Sequence, residues 1–195
     1  LEFRRVLFRS GEIGHGVGVA EKAYANITNN TIKNNVQCGI SVFNVSKVKI
    51  NKNTISGNGR HGIGIRQNCT IKSMEANTIS NNSYNGILWA DGTSGALTNN
   101  TITNNTKFGL SVVDKSTATL TSNTITGNAK SNIGISKGDE NKTGAKVILK
   151  DSNYIASSTG EHGIVVSAKG ILEISGASNK IEKNKKNGIS LFCSR

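Results

Sequence analysis

Asn-Thr-Ile is written five times in this chain, at Asn30, Asn53, Asn77, Asn100 and Asn123, in steps of 23, 24, 23 and 23 residues. A motif on a fixed period of this length marks a repeat architecture. Degenerate copies follow at Asn153-Tyr154-Ile155 and Asn179-Lys180-Ile181. A Gly followed by an aliphatic residue keeps the same time, at Gly16, Gly39, Gly62, Gly86, Gly109, Gly163 and Gly188. Asn132 stands in its place in one copy.

Inside each copy the apolar residues alternate. After the Gly come Val17 and Val19, Ile40 and Val42, Ile63 and Ile65, Ile87 and Trp89, Leu110 and Val112. A period of two is the strand signal. The residues between them, such as Gly18, Ser41, Gly64, Ser111 and Gly134, are mostly small and uncharged, which predicts a flat outer face. Most Asn landmarks also have an aliphatic residue three positions earlier: Ile27, Ile50, Met74, Leu97 and Leu120. The Ile of Asn-Thr-Ile completes three short strands per copy. Such a unit cannot bury its apolar face alone, but stacked units can, with each Ile over the next at about 4.8 Å. The expectation is an all-β parallel solenoid of about 7–8 coils of about 23 residues.

The Asn-Thr-Ile-x-x-Asn and Gly-Ile-x-Val copies resemble the right-handed parallel β-helix repeat family, the pectate-lyase-like superfamily, over roughly residues 12–192. The resemblance implies a right-handed parallel β-helix. It implies no single activity, since that family holds lyases, hydrolases, epimerases and proteins without known activity.

An Asn that recurs once per coil lies over its equivalents. Its amide can donate to the coil on one side and accept from the other, forming a ladder. A second ladder is expected at Asn35, Asn58, Asn82, Asn105, Asn128 and Asn184, broken by Ser158. The landmark Gly is expected at a tight turn, where it tolerates unusual φ.

Proline is absent, which suits a chain that is nearly all ladder. The net charge is +12, but the lysines are spread over turns in the sequence. A nucleic-acid binder gathers its charge with interleaved aromatics, so solvated turns and attraction to an acidic glycan or anionic cell wall are the readings kept. No nucleic acid and no membrane insertion is expected, and no apolar run is long enough to span a bilayer. Cys38, Cys69 and Cys193 show no metal or disulfide spacing. Residues 1–10, LEFRRVLFRS, carry no landmark and read as a non-native linker or read-through segment. Residues 11–195 read as one β-helix domain truncated at both ends.

His15, His61 and His162 each precede a landmark Gly, in a slot that Cys38, Asn85, Phe108, Ser131 and Asn187 fill elsewhere. Gly14-His15-Gly16 resembles the Gly-His-Gly of polygalacturonases, but no Asp-Asp pair accompanies it, and the slot reads as a variable corner. Five residues after the Gly runs the column Glu21, Asn44, Gln67, Asp91, Asp114 and, after Asn132, Lys137. Stacked carboxylates of Asp91 and Asp114 repel unless a proton or cation sits between them, and oxygen ligands suit Ca²⁺. Arg66 lies one coil earlier, and Trp89 could stack on a sugar ring. Arg66, Trp89, Asp91 and Asp114 are therefore the candidate carbohydrate-binding residues. No metal site is assigned, Ca²⁺ is the one cofactor considered, and no residue is assigned as catalytic. The insertion KGDENKTGAK at 137–146 adds Asp139, Glu140 and Lys142 as a possible wall.

The expected function is an extracellular or surface module, structural or carbohydrate-contacting and non-catalytic. The alternative is part of a polysaccharide lyase or epimerase on uronic-acid polymers, with Arg66 as base and Asp91 with Asp114 on the cation. A trimeric shaft is a third possibility.

Overall fold

The computed structural model describes the backbone of residues 2–4, 7–8, 14–137 and 143–192, with side chains from residue 14 onward. Asp139, Glu140, Lys142 and Cys193 lie outside the described residues. Among the described residues the chain forms three parallel sheets of eight strands each. Every coil visits them in the same order. The Gly sheet contains Ile63–Ile65 and Ile87–Trp89, the long sheet Lys47–Asn51 and Ser94–Thr98, and the Asn sheet Thr54–Ser56 and Thr78–Ser80. Two strands within the first ten residues, Glu2–Arg4 and Leu7–Phe8, pair with Tyr24–Thr28 and Thr31–Lys33. The segment set aside as a linker thus supplies strands to two sheets. That it is foreign to the natural protein stays a proposal, open to test by sequencing the coding region at its source.

Like residues superpose as the period demands. Ile32, Ile55, Ile79, Ile102 and Ile125 are consecutive in-register partners, and all are fully buried. Ile40, Ile63, Ile87, Leu110 and Ile133 form a second column. Full burial of each such side chain contributes about 1.5–3 kcal/mol. The step of 24 residues has a local cause: Thr70–Glu75 is longer than its neighbours, and its pairing shifts register after Ile71.

Both amide ladders are present. Asn30, Asn53, Asn77, Asn100, Asn123 and Asn153 each donate Nδ2–H to the Oδ1 of the next rung at 2.9–3.2 Å. The same Oδ1 atoms also accept the backbone N–H of the rung below. The residue before each of these rungs is left-handed: Asn29, Lys52, Ala76, Asn99, Ser122 and Ser152 have φ between 54° and 60°. The second ladder runs from Asn35 to Asn128. It does not break at Ser158. Asn128 donates to the Oδ1 of Asn132 at 2.9 Å, and Asn132 donates to Asn184 at 3.2 Å. The residue that replaces the landmark Gly therefore fills the rung that Ser158 leaves empty.

The landmark Gly is also explained differently from the expectation. It is not among the residues of positive φ. The constraint is close approach: a Cβ on Gly62 would lie 2.7 Å from the Gly86 carbonyl oxygen and 2.8 Å from the Asn82 Nδ2.

Candidate functional site

The outer face of the Gly sheet is concave, not flat. Its floor is the in-register row Ser41, Gly64, Leu88 and Ser111. Ser41 and Ser111 point outward by strand parity yet are buried, among the corner side chains that line the two concavities over them. The two adjoin. One, of about 350 Å³, lies between Arg60, His61, Tyr84, Lys107, Phe108 and Lys130 over Leu88 and Ser111. The other, of about 360 Å³, lies between His15, Phe43, Arg66, Gln67 and Asp91 over Ser41.

One wall is a stacked rail. Residues two before the landmark follow one another through backbone bonds: Arg60 to Gln37, Tyr84 to Arg60, Lys107 to Tyr84, and Lys130 to Lys107, at 2.9–3.2 Å. Arg60, Lys107 and Lys130 therefore lie on one line, although they are scattered in the sequence. Each lysine sits over the aromatic of the preceding coil. Lys107 Nζ is 5.8 Å from the Tyr84 ring and Lys130 Nζ is 5.0 Å from the Phe108 ring. Such cation–π contacts hold the ammonium heads in place. No carboxylate lines this concavity among the described residues.

The histidine slot is not merely variable. Its side chain satisfies the corner above it. His15 Nδ1 accepts the Cys38 N–H at 3.1 Å, Asn85 Oδ1 that of Phe108, Ser131 Oγ that of His162, and His162 Nδ1 that of Asn187. Any small acceptor serves, so the residue type drifts. Phe108 offers no acceptor in this slot, and His61 uses none: its Nδ1 is buried without a partner, and its ring packs edge-on to Tyr84 at 5.1 Å. Burial, then the Arg60 and Arg66 guanidiniums, hold its pKa down to about 4, so it is neutral near pH 7. The same causes lower the pKa of His15. Burial pushes the Cys38 thiol up, leaving it unreactive as a nucleophile.

The four candidate residues separate. Arg66 and Asp91 share the second concavity. Trp89 does not reach it: it is fully buried, and its indole N–H donates to the Thr93 carbonyl at 2.9 Å. In this structure the ring is core and offers no face to a sugar. Asp114 is 8% exposed and absent from both linings. The column that contains the two aspartates is a turn position. Glu21, Asn44, Gln67, Asp91 and Asp114 all have φ between 54° and 59°, a region where Asn and Asp are enriched. Backbone geometry accounts for Asn and Asp in that column without a ligand. No group of three or more His, Cys, Asp or Glu side chains is placed to hold a metal ion among the described residues. The groove wall of Arg60, Tyr84, Lys107 and Lys130 went unforeseen. Its signal was a fixed offset of two before the landmark, visible only once the turns are stacked.

Residues 3–117 and 67–195 match the family described as "Right handed beta helix region", and the chain belongs to that family. Among solved structures, a mutant of the periplasmic alginate epimerase AlgG superposes with a TM-score of 0.77 at 16% identity, over 99% of this chain and 50% of that one. The Azotobacter vinelandii mannuronan C-5 epimerase AlgE4 A-module gives 0.73 at 18% identity, over 97% of this chain and 57% of that one. This chain spans about half the length of those epimerase chains, and identities this low establish a shared fold alone. No curated protein matches the sequence.

Proposed function

We propose that this β-helix holds an acidic polysaccharide along the outer face of its Gly sheet, as a carbohydrate-contacting module that works outside the cytoplasm without catalysing a reaction. The rail carries this reading. Lys107 and Lys130 are stacked on adjacent coils, with Arg60 two coils before Lys107 and no carboxylate between them. Like charges in register destabilise a sheet, and a polyanion laid along the rail removes that repulsion. The aromatic faces of Tyr84 and Phe108 give sugar rings an apolar surface within the same wall. Two similar proteins of this fold are named for alginate and mannuronan, both acidic polymers.

Titration with polymannuronate and polygalacturonate at low salt tests it. Binding is expected, weakening as salt rises. Lys107→Glu with Lys130→Glu should lower affinity at least tenfold. Lys47→Glu with Lys49→Glu, the same charge change on the long sheet, should lower it far less. Equal losses from the two pairs would reduce the effect to net charge and overturn the groove.

A second reading, uronate epimerisation or lyase chemistry, draws on the epimerase fold and on Arg66 and Asp91 sharing one concavity. Incubating the chain with polymannuronate in deuterated water, with and without Ca²⁺, decides it. Deuterium at C5 or unsaturated ends would favour the enzyme, and their absence the binding module.

A further inference from the structure

The Asn sheet presents a second face unlike any other on the molecule. Its strands Thr54–Ser56, Thr78–Ser80, Thr101–Thr103 and Thr124–Thr126 each place a hydroxyl at both outward positions and an Ile inward. The pairing holds strict register through all four: Thr54, Thr78, Thr101 and Thr124 form one column, and Ser56, Ser80, Thr103 and Thr126 the other. Hydroxyl-bearing residues thus repeat about every 4.8 Å along the axis and about 6.7 Å across it, two residues of strand rise. The long sheet, by contrast, shifts register after Ile71.

Three further observations set this face apart from ordinary Thr-rich strand surface. Charge is excluded from it. The chain has 24 basic and 12 acidic residues, yet Lys33 at one end and Lys180 and Glu182 at the other are the charged outward residues of the described Asn-sheet strands after Thr31. The hydroxyls are also unspent: among these eight residues only Ser80 joins a side-chain hydrogen bond within the protein, accepting from Asn81 at 3.4 Å. Finally, both borders are fixed. The ladder Asn53, Asn77, Asn100 and Asn123 precedes the strands, and Asn58, Asn82, Asn105 and Asn128 follow them.

We infer that this face binds ice, the ligand being the ordered oxygen lattice of a crystal surface. One hydroxyl exchanging one water for another gains almost nothing. A rigid rectangular array is different. Its spacings are close to those between oxygens on the prism faces of ice, so its hydroxyls take lattice positions together, and the Thr methyls fill the spaces between. Charged side chains impose hydration shells that fit no lattice, which explains why the face lacks them. The inference is independent of the polysaccharide groove, which lies on another sheet.

The test is partition of the purified chain into slowly grown ice, together with inhibition of ice recrystallisation. The wild-type chain should enter the ice at several times the level of an unrelated soluble protein. Thr78→Lys with Thr101→Lys should be expelled. Lysine already occupies both columns at Lys33 and Lys180, so the fold should survive, as circular dichroism would check. Thr119→Lys, on the outer face of the long sheet, should leave incorporation unchanged. Expulsion of the wild type, equal incorporation of the double Lys variant, or equal loss with Thr119→Lys would each overturn the inference.

Discussion

Asn132 and Ser158 show how far a single residue can be understood alone. In the sequence each is a lapse, one in the Gly landmark and one in the second ladder. In the fold they are a single event, because the Asn132 amide occupies the rung that Ser158 vacates and also donates to the Ala156 carbonyl at 2.8 Å. Restoring either lapse alone should therefore harm. Ser158→Asn places a second amide in filled space, an overpacking that costs about 1–3 kcal/mol. Asn132→Gly removes the Oδ1 that accepts the buried Asn128 N–H and Nδ2–H, at about 1–3 kcal/mol. The double variant rebuilds the standard pattern of the other coils and should recover most of the loss. Urea unfolding of the four proteins would measure the coupling, and strictly additive losses would refute it.

At the scale of strands and corners, legibility followed periodicity. The strands, their inward residues and both ladders could be read because apolar residues and Asn recur at fixed offsets. The left-handed corners could not, since Lys52, Ala76 and Ser122 fill them as readily as Asn99 does. The groove was misjudged for a related reason. Small residues such as Ser41 and Gly64 looked like a flat surface, and only the corner side chains beside them make a floor. Trp89 had the right parity for the core, and burial settles its place there. Two glycines, one just before a Gly-sheet strand and one within another, separate steric need from composition. Gly62→Ala should cost about 1–3 kcal/mol by driving coils apart, since its Cβ would fall within 2.8 Å of three atoms. Gly18→Ala, where nothing lies within 4 Å, should change stability by less than about 0.5 kcal/mol. Equal shifts in denaturation midpoint would contradict the close-approach account.

Taken whole, the molecule is a rod with one closed property and one open one. Its interior is continuous from coil to coil, and among the described residues its last coil leaves apolar side chains exposed. Ile174, Ile189, Leu191 and Phe192 are 47%, 38%, 72% and 53% exposed there. Ile174 and Leu191 stand in register with the buried Leu149 and Val166 of the coil beneath. Tube-lining side chains beside unpaired strand edges are a template for association. The 195-residue chain should therefore sediment as a concentration-dependent mixture. Ile174→Lys with Leu191→Lys should shift it toward monomer, and unchanged sedimentation would place the contact elsewhere.

Every rung of both amide ladders points the same way, with nitrogen toward the later coil and oxygen toward the earlier one. No side chain can be reversed without reversing the whole stack. Slow hydrolysis of one such amide to a carboxylate, the common chemical ageing of asparagine, would set oxygen against oxygen in the middle of the rod. The feature that aligns the coils is thus also the place where time would wear them apart.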